Sequence, residues 1–108
     1  MGSLEIVKSE KWFYEFVLPD GTITDCYLEE RVRGVHKTRE IALRNYLNKK
    51  NINRGRALDI ACHEGFYSLV LSDYFDTVKG IDKNDDSIGK ANLIKDVYFK
   101  NCIEFENR

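Results

Sequence analysis

Ala57-Leu58-Asp59-Ile60-Ala61-Cys62-His63-Glu64-Gly65-Phe66-Tyr67-Ser68-Leu69-Val70-Leu71 is the stretch on which the fold turns. A run of β-compatible apolar residues breaks at Cys62-His63-Glu64-Gly65 and resumes with helical spacing, which predicts strand, tight loop, helix. A strand feeding a helix N-terminus aims unpaired N–H groups and the positive end of the helix dipole above the sheet edge, where an anionic group is favoured. Farther on, Val78-Lys79-Gly80-Ile81-Asp82 predicts a second strand ending in a carboxylate. Asp82 follows the loop by roughly twenty residues, the separation at which a βαβ unit sets an acidic side chain against the ribose hydroxyls of a nucleoside.

The glycine count narrows the nucleoside. A dinucleotide fingerprint needs three glycines so that backbone can approach a pyrophosphate. The corresponding turn positions here hold Ala61, His63 and Gly65, which argues against NAD and FAD. A P-loop would open its helix with Gly-Lys-Ser or Gly-Lys-Thr, whereas this helix opens with Gly65-Phe66-Tyr67-Ser68. What remains is a nucleoside without a pyrophosphate, carrying a smaller anion such as a carboxylate.

LDIACHEGFYSL followed by VKGID resembles the first two motifs of class I S-adenosylmethionine-dependent methyltransferases, LDxGxGxG, then a helix, then a strand ending in an acid. The resemblance runs from Ala57 to the end of the chain. It implies that S-adenosylmethionine is the cofactor, with Ala61, Cys62, His63 and Gly65 passing under its methionine part. Asp59 would anchor the loop or meet the amino group, and Asp82, with Lys83 beside it, would take the ribose. Ala61 and His63 depart from the family's glycines. His63 in particular requires an unstrained backbone or an imidazole turned away from the ligand. The family's acceptor site is built from later segments, so no residue is nominated as catalytic; the acceptor, a tRNA or a small molecule, is left open.

The 108 residues, a formal net charge of −1 and 43% apolar content describe one small domain with material for a core. Near-neutral charge gives no electrostatic case for nucleic acid. No apolar run approaches the roughly 20 residues of a membrane span, nor is there a signal-peptide hydrophobic region. Cys26, Cys62 and Cys102 are odd in number and widely spaced, which indicates neither a disulfide framework nor a zinc site, and a cytoplasmic address is the expectation. Asp85 and Asp86 read as helix-capping residues rather than metal ligands, and no metal is expected. Cys62 beside His63 is not read as an activated nucleophile, because adjacent residues at a strand end point apart.

The expected architecture is α/β: a partial Rossmann-like methyltransferase fold of three core strands with helices over residues 35–108, preceded by a β-hairpin extension over residues 1–34. Trp12 to Leu18 and Thr22 to Leu28 are its two strands, joined by Leu18-Pro19-Asp20-Gly21, which has type I turn chemistry. WFYEFVLPDGTIT also resembles a segment preceding the core in some members of the superfamily, including relatives of the enzymes that modify wobble uridine in tRNA. Its aromatics either pack on the core or form a lid carrying Trp12 or Tyr14. A helix over Val35 to Leu47 is expected to pack on the sheet through Val35, Ala42, Leu43, Tyr46 and Leu47, with His36 as a surface or capping residue. Residues 48–55 form a connector, Ile88, Ala91 and Ile94 mark a second crossover helix, and Val97 to Ile103 is the expected third strand. The first strand is apolar enough to be covered on both faces. A three-stranded sheet leaves one edge of it open, so the N-terminal hairpin, a second copy of the chain or a missing C-terminal half is expected to cover that edge. The reading is thus the S-adenosylmethionine-binding portion of a methyltransferase, truncated and with little activity alone. A non-catalytic nucleoside-binding or protein-interaction module is the alternative.

Overall fold

The computed structural model describes residues 2–52 and 54–108; Met1 and Asn53, the latter in the expected connector, lie outside the described residues. The elements are α1 (Ser3–Ser9), β1 (Lys11–Trp12), β2 (Asp25–Cys26), α2 (Glu30–Lys49), β3 (Arg56–Ile60), α3 (Phe66–Ser72), β4 (Thr77–Asp82), α4 (Asp85–Val97) and β5 (Ile103–Asn107). β3, β4 and β5 form a parallel sheet in that order, with Asp59 opposite Gly80 and Gly80 opposite Phe105. Parallel neighbours need crossover connections, and α3 and α4 supply them. The fold is therefore the expected α/β core of three parallel strands.

At Gly80 the sheet lies close against α3 and the Phe105 ring. A Cβ there would stand 2.7 Å from Phe105 Cδ1 and 2.9 Å from Ser68 Oγ. A side chain would push the helix off the strand, so glycine is required by packing. α4 begins at Asn84, whose side chain accepts from the Ser87 N–H at 3.0 Å, with Asp85 and Asp86 in the first turn where carboxylates favour the dipole. It buries Ile88, Ala91, Ile94 and Val97.

Four expectations are corrected. The third strand starts at Ile103, because α4 continues through Val97 and the chain leaves it with Phe99 in the left-handed region, at φ 55°. A non-glycine residue in that conformation carries no stop signal in the sequence. The N-terminal segment is not a β-hairpin. Leu18 to Gly21 does close a tight turn, Gly21 N–H to Leu18 O at 2.8 Å, but only an isolated antiparallel bridge between Val17 and Ile23 follows it. The flanking β1 and β2 pair in parallel. A further helix, α1, precedes them.

The third correction concerns α2, which packs on α3 rather than on the sheet. It buries His36 and Leu47, leaving Val35 and Tyr46 exposed. The fourth concerns β3, which is covered on one face only. Leu58 is 56% and Ile60 71% exposed on the other. Nor does the N-terminal segment lie along the open edge of β3. Val7, Trp12, Phe16 and Leu18 form a buried cluster with Ile94 and Val97 of α4, and Leu4, Phe66 and Leu69 pack against it. The Trp12 indole donates to Val7 O at 3.0 Å, which satisfies its buried N–H.

Candidate cofactor site

The carboxyl ends of β3 and β4 and the loop between β3 and α3 make one corner of the molecule. Ala61, His63 and Gly65 all have positive φ, at 56°, 56° and 86°. These are the three turn positions at which the sequence pattern asks for glycine, and the backbone takes the same left-handed steps with only one glycine present. The unstrained backbone that His63 would need is absent. For an L-residue this conformation costs about 1–2 kcal/mol, and the surrounding bonds hold it. His63 N–H donates to Asp82 Oδ2 at 2.9 Å and Cys62 N–H to Ile81 O at 2.9 Å, tying the loop to the end of β4. Gly65 is constrained further, since a Cβ would lie 2.6 Å from Phe105 Cζ.

Asp82 is held as a carboxylate. The N–H of Asn84, at 2.8 Å from Oδ1, and then that of His63 draw its pKa below the ordinary range. Each oxygen keeps a second lone pair for a hydroxyl donor. Lys83 follows it as an exposed turn residue whose carbonyl accepts from Asn107 Nδ2 at 3.0 Å. Asp59, under the loop, accepts from Ser68 Oγ at 2.7 Å. Burial, with the charge of Asp82 adding to it, raises its pKa. Cys62 is buried, and burial first, then Asp59 and Asp82, pushes its thiol up to about 12. A thiol so placed is not a nucleophile at neutral pH, which agrees with the sequence reading. The geometry brings Asp59, Ala61, Cys62, His63, Gly65, Asp82 and Lys83 into this one corner. Asn101 to Glu104 lies where β5 begins, at the opposite end of the sheet.

Two residues that the sequence reading did not place at the site complete the corner. Glu64 is 3% exposed, and its carboxylate accepts the Phe13 N–H at 2.8 and 2.9 Å and the Tyr14 N–H at 3.3 Å. Lys90 stands 3.8 Å away on the same carboxylate, donates to Lys11 O at 2.8 Å and lies over the Trp12 ring. Glu64 thus latches the N-terminal segment, as a strap, to the motif loop. A glutamate inside a motif gives no hint of this, because its partners are main-chain groups fifty residues away.

His36 is the second. It is 8% exposed, not a surface or capping residue, and stacks on Tyr14 with ring centroids 4.3 Å apart and an interplanar angle of 22°. Phe66 meets it edge-on at 4.4 Å, and Tyr67 stands 5.3 Å away. Burial lowers the His36 pKa, so the ring is neutral at pH 7. The His63 ring also meets Tyr14, edge-on at 5.8 Å, and packs on Phe13 at 4.9 Å. Burial first, then Glu64 and Asp59, raises the Tyr14 pKa. Tyr14 is partly buried against the core cluster and stands beside the loop, while Trp12 lies fully within that cluster, so these contacts match the reading in which the aromatics pack on the core. His36 Nε2 and His63 Nδ1 are enclosed without a hydrogen-bond partner. Among the described residues, no group of three or more His, Cys, Asp or Glu side chains is arranged to hold a metal ion. No helix among the described residues is long and apolar enough to cross a membrane.

Comparison with solved structures finds this architecture elsewhere. Magnesium protoporphyrin IX methyltransferase (ChlM) from Synechocystis PCC 6803, solved with bound SAM, matches 71% of the chain at 21% identity and a TM-score of 0.61. The YcgJ protein of Bacillus subtilis matches 64% at 18% identity and 0.56, and the DhpI–SAH complex 68% at 23% identity and 0.50. The matched regions are 38%, 29% and 35% of those chains, so this chain spans about a third of their length. At such identities the likeness establishes the fold, a partial Rossmann-like methyltransferase core. No curated protein sequence matches. The family described as tellurite resistance protein TehB matches residues 32–106, more than half of the chain and all of the corner described above except the strap. By that match the chain belongs to the TehB family, a family of class I S-adenosylmethionine-dependent methyltransferases.

Proposed function

We propose that this chain binds S-adenosylmethionine on the loop Ala61–Gly65 and on Asp82, in the service of methyl transfer. The observation that carries the reading is the loop itself. Left-handed steps at the alternate positions Ala61, His63 and Gly65 shape it, and the His63 N–H donates to the Asp82 carboxylate at the end of the neighbouring strand. Such a corner suits a nucleoside whose ribose hydroxyls donate to Asp82 and whose remaining arm crosses the loop. The bound cofactor supplies a methyl group already activated by its sulfonium, so the chemistry asks the protein for alignment and exclusion of water. The latched strap and the rings of Tyr14, His36 and Tyr67 suit the second task. Asp59 holds Ser68 and so the first turn of α3, which supports the role of loop anchor rather than ligand.

The acceptor we propose is a small molecule rather than tRNA, since the formal net charge of −1 gives no field for a polyanion. Because the chain spans about a third of the structures it resembles, a non-catalytic nucleoside-binding module is the second reading, and turnover separates the two. Calorimetry with S-adenosylmethionine and S-adenosylhomocysteine, with NAD and ATP as controls, is the test. Binding of both adenosyl ligands, lost in Asp82→Ala, supports the proposal; preference for NAD, or unchanged binding by Asp82→Ala, sinks it.

A further inference from the structure

A cavity of about 250 Å³ opens between the N-terminal segment, α2, α3 and the turn after α4. Neither the motif loop, Ala61 to Gly65, nor Asp82 contributes to its lining. Its floor is apolar: Phe16 and Val70 are fully buried, and Phe66 and Leu69 lie beside the His36 ring. Its rim is charged, with four cations against three carboxylates. Toward the end of α2, Asp73 holds Arg44 at 2.9 Å on one oxygen and Lys100 at 3.0 Å on the other, and Glu40 holds Arg44 again at 3.0 Å. Charge is balanced there. Lys37 lies seven residues before Arg44 on α2, about 10 Å along the axis. At that end Glu15 alone serves both Arg33, at 3.5 Å, and Lys37, at 3.6 Å, each longer than a well-formed hydrogen bond. The surplus positive charge of the rim is therefore on this pair.

Floor and rim together select a ligand. The apolar floor favours a hydrophobic body, and the volume, below the roughly 300–1,000 Å³ of sites for drug-sized molecules, limits that body to about one ring or a short chain. One uncompensated cation favours a single negative charge, and a guanidinium beside an ammonium suits a carboxylate. We infer that this cavity binds a small carboxylic acid with an apolar body, its carboxylate at Arg33 and Lys37 and its body against Phe16, Phe66 and Leu69. Occupancy bears on the cofactor corner through two contacts. Glu15 and Phe16 continue the segment that Glu64 latches at Phe13 and Tyr14, and His36 stacks on Tyr14. A bound acid thus holds the strap in place by mass action.

The probe is 3-phenylpropionate, with 3-phenylpropanamide as its uncharged counterpart and acetate as the head group alone. In amide NMR titrations of the unaltered chain, 3-phenylpropionate is expected to shift Phe16, Lys37, Phe66 and Leu69. The amide and acetate should bind at least about fivefold more weakly. Lys37→Ala, at a side chain 65% exposed, should weaken 3-phenylpropionate by a similar factor without changing the melting temperature. Lys100→Ala, at the balanced end, should leave it within about twofold. Protease cutting within residues 10–28 should slow when the probe is bound. No shift at about 10 mM probe, equal binding of the amide, or a loss in Lys100→Ala as large as in Lys37→Ala overturns the inference. Shifts confined to residues 59–65 and Asp82 overturn it as well, and unchanged cutting with the probe bound overturns its hold on the strap. Every readout is taken without an adenosyl ligand, so the result is separate from that of the proposed function.

Discussion

Ala61, His63 and Gly65 share one backbone conformation and differ in what their side chains do there. Ala61 is exposed, with its methyl group in a left-handed conformation at φ 56°. Ala61→Gly should therefore stabilise the chain by about 1 kcal/mol, the relief of strain partly offset by the greater entropy of the unfolded glycine; urea unfolding measures it. His63→Gly gains the same relief but loses the ring contacts with Phe13 and Tyr14, so its stability should stay within about 1 kcal/mol of the unaltered chain. Ligand affinity should be kept or improved in that variant. Gly65→Ala is the opposite case, because the new Cβ collides with Phe105 as well as taking the left-handed penalty. It should cost about 3 kcal/mol, and shortening Phe105 to leucine in the same chain should return part of it. Asp59 carries a sign of its own. Its folded pKa is raised, so ionisation near pH 7 opposes folding and is relieved as pH falls through that pKa. Asp59→Asn, which can still accept from Ser68, should raise the melting temperature at pH 7 and lose that advantage in acid.

At the scale of elements, the strap from Lys11 to Phe16 depends on Glu64. Removing this carboxylate strands the Phe13 and Tyr14 N–H groups and frees Lys90, so Glu64→Ala should cost about 2–3 kcal/mol. Trp12 is the only tryptophan and is buried under the same segment. Its emission should shift to the red, and protease cutting within residues 10–28 should quicken, before α3 or the sheet is lost. Equal cutting in both chains would mean that the strap is held by its apolar contacts alone. Charged contacts of this kind also set the acid limit. Asp82, held down by the Asn84 and His63 N–H groups, and Asp73, in which the bonds from Arg44 and Lys100 outweigh burial, have lowered pKa values. Their contribution is present above the unfolded aspartate value of about 3.9 and disappears as pH falls through the folded values. A pH titration of the melting temperature should therefore drop below about pH 4.

At the scale of the whole molecule, α3 and α4 cover one face of the sheet and the strap thickens that same side. The other face carries Leu58, Ile60 and Ile81 beside Lys79, which bridges Glu106 at 2.6 Å and Glu104 at 3.8 Å. The outer edge of β3 has no neighbouring strand among the described residues. An open strand edge with exposed apolar side chains promotes association between chains. Analytical ultracentrifugation at micromolar concentration should detect self-association, and Ile60→Lys should weaken it without changing the melting temperature of the monomer. A strict monomer would mean that the Lys79 and Glu106 charges keep this face apart from its copies.

The sequence by itself determined the strand, loop and helix around Cys62, the acidic end of β4, the capped start of α4 and the family to which they belong. Each of these depends on local chemistry: apolar periodicity, turn residues and a cap within a few positions of one another. Only the tertiary structure decided that Glu64 is a latch, that His36 is buried, and that Tyr14 stands beside the loop while Trp12 enters the core. Those roles come from contacts between residues some twenty to more than eighty positions apart, and no local pattern encodes them. The two strands expected around Leu18-Pro19-Asp20-Gly21 did not form a hairpin for the same reason. Their aromatics gain more by packing on α4 and beside the motif loop than by pairing with each other, and burial against a distant helix outweighs local β-propensity.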